Sequence, residues 1–305
     1  MKNILRRSAA YLMATLTLLT QLMPVPAFAL RGAGPDGANL SDSRWRGRRV
    51  AFLGDSITDP HHVGTTRCYW EFLADMLGIV PLVYGVNGHQ MSDLYGQAQR
   101  MLAEQGDSVD AIVVFAGTND YNGGVPLGEW YDTGERETVV GGGVKTVRKY
   151  RTPVMSKATF RGRINMLMDF LKTHYPDKQI MMLTPIHRAY ACFGPDNVQP
   201  DERFANSIGA FFDEYVDAVR EAAGVWAVPV IDLNSLSGLY PLNDSFVHCF
   251  SNGKTDPPAP QRRRAQTHGS DHRLPDDGVA CDVRLTCGGA AGMSPDSLSL
   301  LPVQP

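Results

Sequence analysis

Three short polar stretches in this chain carry residue types that could act together on an ester. They are Gly54-Asp55-Ser56-Ile57-Thr58-Asp59, Gly85-Val86-Asn87-Gly88-His89-Gln90 and Ala116-Gly117-Thr118-Asn119-Asp120. A serine hydroxyl is a weak nucleophile until a base takes its proton. Acyl transfer also needs donors aimed at the oxygen that turns negative, and losing one such donor costs about 2.7–4 kcal/mol of barrier in known enzymes. Ser56, the Gly88 backbone and the Asn119 carboxamide have these roles available. Each has a plainer reading too. Ser56-x-x-Asp59 is a helix-start signal, and Asn119 is a residue type that bonds its own turn.

What positions the three stretches is the apolar run before each one. Val50–Leu53, Pro81–Tyr84 and Ala111–Phe115 read as buried strands, and the polar residues follow at their carboxyl ends. In an open parallel sheet that edge is where ligands bind. Helical spacing of apolar residues falls between the strands: Tyr69–Leu77, Ser92–Ala103 with Ser92 as cap, Ser156–His174, and Phe204–Ala223 with Ile208, Phe211, Phe212, Tyr215 and Val219 on one face. Gln179–Leu183 and Ala227–Ile231 complete five strands. Strands alternating with helices predict a parallel sheet covered on both faces. Residues 121–153 are long, Gly-rich and weakly periodic, and read as an insertion beside the site with a small hairpin at Thr138–Gly143. Its aromatics Tyr121, Trp130, Tyr131 and Tyr150 either stack on sugar rings or anchor the loop. His187–Glu202 reads as a further polar loop.

Composition bounds the rest. The chain has 305 residues, 43% hydrophobic, with a net charge of −3, which suits one globular domain and gives no footprint for nucleic acid. Lys2, Arg6 and Arg7, the apolar Tyr11–Leu22 and Ala27-Phe28-Ala29 form a secretory-signal pattern over residues 1–29. Export to the periplasm or outside the cell is therefore expected, with no stable membrane span after cleavage, then a lead-in over residues 30–48. Five cysteines without CxxC spacing suggest no zinc site. A nucleotide-binding reading lacks both G-x-x-x-x-G-K-[ST] and G-x-G-x-x-G at a strand end.

The blocks G-D-S-I-T-D, G-V-N-G and G-T-N-D, in that order and separation, resemble the first three signature blocks of SGNH hydrolases, the GDSL esterase/lipase family. The resemblance covers about Arg49 to Asp256. It implies a flavodoxin-like three-layer α/β/α sandwich with a mainly parallel five-stranded sheet. It implies Ser56 as nucleophile, with oxyanion donors from the Ser56 backbone, Gly88 and Asn119. It implies a carboxylic ester as substrate, by a mechanism that needs no metal or organic cofactor; export and the polar loops 121–153 and 187–202 favour such an ester on a small molecule or a glycan. The G-x-S-x-G elbow of α/β-hydrolases is not met, because Thr58 stands at its second glycine.

The family's last block is D-x-x-H, in which the aspartate orients the histidine base. Asp256 fits its first position, but Pro257, Pro258 and Ala259 follow, so alanine stands where the histidine belongs. Residues 257–305 are rich in Pro, Arg and Gly and lack an amphipathic helix to close the fold. Codons for Pro257 to Gly269 exist such that dropping one cytosine after the Asp256 codon reads D-R-L-H-P-N-A-A-G-H-K-R-M. Histidine then falls at the place of Ala259, and a helix-compatible stretch follows. The tail is thus expected to be a single-nucleotide frameshift, against the alternative of a natural disordered tail. As written, the chain offers His248, His268 and His272 near Asp256, and His61, His62 and His89 beside the first two blocks as pocket-lining groups. Without its base such an enzyme keeps only residual catalysis. The competing reading is an inactive binding protein on the same fold.

Overall fold

The computed structural model describes residues 43–61, 67–192 and 197–249. The signal-type segment, Asp256 and the tail lie outside the described residues. In chain order the elements are β1 (Arg49–Gly54), α1 (Tyr69–Leu77), β2 (Val80–Val83), α2 (Met91–Gln105), β3 (Ala111–Phe115), α3 (Thr118–Asn122), β4 (Tyr131–Val140), β5 (Val144–Pro153), α4 (Phe160–His174), β6 (Gln179–Leu183), β7 (Ala191–Cys192), β8 (Val198–Gln199), α5 (Phe212–Trp226), β9 (Val230–Ile231) and α6 (Leu233–Leu236).

Five parallel strands form one sheet in the order β2-β1-β3-β6-β9. The chain steps outward from β1 to β2, then crosses back to β3. The switch point, where ligands bind in such sheets, therefore lies between β1 and β3. Residue alternation along each strand sorts the core into two layers. Ala51, Leu53, Ile112, Val114, Ile180 and Met182 pack with α2, α4 and α5. Val50, Phe52, Val113, Phe115, Met181 and Leu183 pack with Trp45, with Tyr69, Leu73 and Leu77 of α1, and with Leu233. Strands buried on both faces explain the unbroken apolar runs in the sequence. This is the expected three-layer α/β/α arrangement.

Four expectations change. The helix expected over Phe204–Ala223 begins only at Phe212 and runs to Trp226. Asn206 Oδ1 accepts from the Ile208 and Ala210 amides at 3.1 and 3.0 Å, and Gly209 sits at φ 84°, so a side-chain-bonded turn competes with the helix there. Phe204, Ile208 and Phe211 stay exposed in that loop. The last strand shortens to Val230–Ile231, because Ala227 takes a left-handed conformation (φ 50°) at the end of α5. The insertion holds no small hairpin but an antiparallel ribbon of ten residues per strand. α2 starts at Met91 with the Gln90 amide donating to Asp93 at 2.8 Å, rather than with Ser92 as its cap.

Candidate active site

β1 pairs with both β2 and β3, with Phe52 opposite Val83 and Gly54 opposite Phe115. Ser56, Gly88 and Asn119 are thereby carried at the carboxyl ends of three adjacent strands. Ser56 does not cap a helix. It sits in a turn in which the Thr58 and Asp59 amides both donate to the Asp55 carbonyl at 3.0 Å. The partly exposed Ser56 hydroxyl has no hydrogen-bond partner among the described residues. Only glycine fits two residues before it: a Cβ on Gly54 would lie 2.8 Å from the Phe115 carbonyl and collide with Thr58 Oγ1. Thr58 is fully buried, its hydroxyl 3.2 Å from the Tyr69 hydroxyl, and its carbonyl accepts from Trp70 Nε1 at 3.0 Å. α1 thus fixes the serine turn from one side.

Asp59 joins the first turn to the second. Its Oδ2 accepts from the Asn87 amide at 2.8 Å and its Oδ1 from the His61 amide at 2.7 Å. Gly88 stands next, at φ 79°, a conformation that favours glycine. Its exposed amide has no acceptor among the described residues and is open to a ligand oxygen.

The second turn is bound as firmly to the third. Asn119 Nδ2 donates to the His89 carbonyl at 3.0 Å, and Gln90 Nε2 donates to the Asn119 carbonyl at 3.0 Å. Asp120, fully buried, accepts from the Met91 amide at 2.8 Å and pairs with Arg163 of α4 at 2.7 Å. The structure therefore brings Ser56, Gly88 and Asn119 to one edge and cross-links their turns. Asn119 does not merely bond its own turn, since its carboxamide reaches across to the second one.

Two buried carboxylates lie under the edge. Burial pushes Asp55 up to about 7, with Asp120 nearby adding to the rise and the Ile57 amide opposing it. Burial pushes Asp120 up to about 6, against the Met91 amide and Arg163, which both lower it.

Histidine chemistry follows from second partners. Gln97, buried, accepts from the Gly54 amide at 2.9 Å and donates to the Gly54 carbonyl at 2.8 Å, which fixes its amide orientation. Its remaining N–H faces His89 Nδ1 at 2.9 Å, so His89 accepts there and carries its proton on Nε2. A cavity of about 370 Å³ beside the second turn is lined by His89, Gln97, Arg100 and Lys157. His187, beyond the end of β6, is bonded the other way round. Its Nδ1 donates to Glu202 Oε1 at 2.7 Å, so its partner is a carboxylate rather than an amide. Glu202 is fixed in turn by the Arg188 amide at 2.9 Å, and the Tyr240 ring meets His187 edge-on at 5.7 Å.

Residues 187–202 read as loop in the sequence, and no spacing there flags a pair fifteen residues apart. The insertion aromatics take other places. Tyr121 is core, Trp130 donates to Glu221 at 2.7 Å, and Tyr131 and Tyr150 lie under Arg151 and Arg136. Exposed rings are found instead at Tyr240, which meets His187, and at Tyr190 and Phe204. No group of three or more His, Cys, Asp or Glu that could hold a metal occurs among the described residues, and none of their helices is long and apolar enough to cross a membrane.

A family model described as GDSL-like lipase/acylhydrolase matches residues 52–268, a stretch that contains Ser56, Gly88, Asn119 and Asp256. No match was found among curated proteins. Among solved structures, a protein from Lactobacillus plantarum is 24% identical and covers 67% of this chain and 86% of its own, with a TM-score of 0.51. A protein from Chitinophaga pinensis, described as a possible lipase, is 21% identical over 64% of this chain and 69% of its own, with a TM-score of 0.48. The SGNH-hydrolase family esterase AlinE4 is 13% identical over 64% and 82%, with a TM-score of 0.40. The first of these likenesses shows a shared fold.

Proposed function

The chain belongs to the GDSL-like lipase/acylhydrolase family, and from that premise we propose that it is an exported serine esterase acting on acyl groups carried by a polyhydroxylated substrate such as a glycan. The observation that carries the reading is the cross-linking of the three turns: Asp59 to Asn87, Asn119 to His89 and Asp120 to Met91. Among the described residues, these bonds leave the Ser56 hydroxyl and the Gly88 amide without partners of their own on a shared edge.

In this mechanism Ser56 Oγ attacks the ester carbonyl. The developing oxyanion is held by the Ser56 and Gly88 amides and by the second N–H of the Asn119 carboxamide. These donors are set before substrate arrives, which is what makes such contacts effective. The tetrahedral intermediate collapses with loss of the alcohol, and water then releases the acid from the acyl-serine. The base that takes the Ser56 proton and returns it to the leaving alcohol is, by the family resemblance, the histidine of the D-x-x-H block beginning at Asp256; Ala259 stands in its place in the chain as written, so this step belongs to the frame-restored chain.

The glycan preference draws on the two histidines and the exposed rings. His89 presents an N–H, and His187 the ring edge opposite its bond to Glu202, to sugar hydroxyls, while Phe204 and Tyr240, 59% and 50% exposed, offer apolar faces. Export is supported by the signal pattern in residues 1–29.

The test is hydrolysis of p-nitrophenyl acetate and of an acetylated oligosaccharide, by the chain as written and by one with the reading frame restored after codon 256. Activity that rises on restoring the frame and vanishes in Ser56→Ala supports the proposal. Equal turnover by wild type and Ser56→Ala refutes it. A second reading, an inactive glycan-binding relative, is favoured by Ala259 standing where the base belongs. It predicts glycan binding without turnover in both forms.

A further inference from the structure

β4 and β5 pair over ten residues each, from Tyr131 opposite Pro153 to Val140 opposite Val144. The root of this ribbon is tightly held. The Val154 amide donates to the Trp130 carbonyl at 3.0 Å, and the buried Asn165 of α4 donates to the Trp130 and Val154 carbonyls at 2.9 and 3.0 Å. Beyond the root, every residue from Asp132 to Val139 and from Val147 to Thr152 is exposed. At about 3.3 Å per residue the ribbon reaches about 30 Å from its anchor. A two-stranded ribbon with nothing on its faces is marginal in water, and both of its edges carry unpaired backbone groups. Val139, Val144 and Val147, about 60% exposed, add apolar surface toward its tip.

The two edges differ. β5 carries Lys145, Arg148, Lys149 and Arg151, with no acidic residue, so it repels a second copy of itself. β4 carries Asp132, Glu135, Arg136 and Glu137, has no lysine, and includes Gly134 with no side chain. Two β4 strands can pair antiparallel about a twofold axis normal to the ribbon. That axis keeps each face on its own side, so only residues of like parity oppose one another. Centring on Glu135, Arg136 or Glu137 sets like charges face to face. Centring on Gly134 instead sets Asp132 of one copy opposite Arg136 of the other, and the symmetry repeats this pair. It also sets Thr133 opposite Glu135.

We infer that this chain forms a twofold dimer in which the β4 edges of two copies join their ribbons into one four-stranded sheet, with Asp132 and Arg136 as the pairing charges. The sheet consumes the unguarded edge of each ribbon and leaves the cationic β5 strands outermost, where they block further addition. The occupant is a second copy because the complementarity lies within one strand and is satisfied by symmetry alone.

The experiment is sedimentation velocity on the full chain at micromolar concentration, with circular dichroism as the check on folding. Wild type is expected at twice the 33.4 kDa chain mass, less any cleaved leader. Asp132→Arg sets like charges opposite at both symmetry-related places and is expected to weaken association about tenfold or more. Combining Asp132→Arg with Arg136→Asp restores the opposite charges and is expected to restore the dimer. A monomeric wild type overturns the inference, as does a dimer that is indifferent to both the single and the double substitution.

Discussion

The edge formed by the serine, glycine and asparagine turns and the β4–β5 ribbon are opposites in construction. At the edge, each turn is bonded to the next through a side chain that reaches across: Asp59 to Asn87, Asn119 to His89, Asp120 to Met91. Among the described residues, the ribbon is held at its root and by its own ladder. Rigid placement from several directions is what acyl transfer demands, because donors must stand ready where charge develops. A projecting ribbon has no such demand placed on it from within the chain, and its residue choice reflects what lies outside. The two regions should therefore respond to substitution in unlike ways.

The largest expected effect is on the edge. Ser56→Ala should lower kcat/KM for p-nitrophenyl acetate by about 10³-fold or more in the frame-restored chain, with unchanged thermal stability. Asn119→Ala should lower kcat by about 10²–10³-fold through loss of a donor, which steady-state kinetics on the same substrate would show. Asp59→Ala releases the Asn87 amide and with it the register of Gly88. A loss of about tenfold in kcat/KM and of about 1–3 kcal/mol in urea unfolding is expected, since the Asn87 and His61 amides lose a charged acceptor. At the small end, replacing residues 132–152 with a short glycine turn should change the hydrolysis rate less than about twofold while halving the mass in solution. A large loss of activity there would erase the contrast between the two regions.

A pH prediction sharpens the same contrast. Burial holds Asp55 at about 7 in the folded protein, above the ordinary 3.8. The folded state therefore keeps a proton that the unfolded chain releases, and unfolded chains bind fewer protons across that window. Stability contributed by the protonated carboxyl is complete below about pH 4 and is lost as pH rises through about 7. Asp55→Asn should flatten this fall, measured as melting temperature against pH, because the amide oxygen still accepts from Ile57 and carries no charge to bury. No such flattening is expected from Asp132→Asn on the exposed ribbon.

Much of the core and the edge was legible in the sequence. Val50–Leu53 and Ala111–Phe115 are unbroken apolar runs because those strands are covered on both faces, and the polar turns follow directly. The ribbon was hidden for the complementary reason. Neither of its faces is buried by the chain, so no period of two distinguishes apolar from polar positions, and only the three glycines at 141–143 marked a turn. The helix at 204–223 was overextended because Phe204, Ile208 and Phe211 keep helical spacing, while the Asn206 turn that breaks it depends on one side chain bonding two amides. The bonds Asp59–Asn87, Gln97–Gly54 and His187–Glu202 act across 15 to 43 residues of sequence, and local spacing carries no trace of such bonds.

The proposal of an active serine on this edge is tested most directly by labelling. The frame-restored chain is treated with a fluorophosphonate, and the modified residue is located by peptide mass mapping. A single adduct on the peptide containing Ser56, formed in step with loss of esterase activity and absent from Ser56→Ala, is the result expected. Full inactivation with the adduct on another residue, or undiminished activity once Ser56 carries the label, would contradict it.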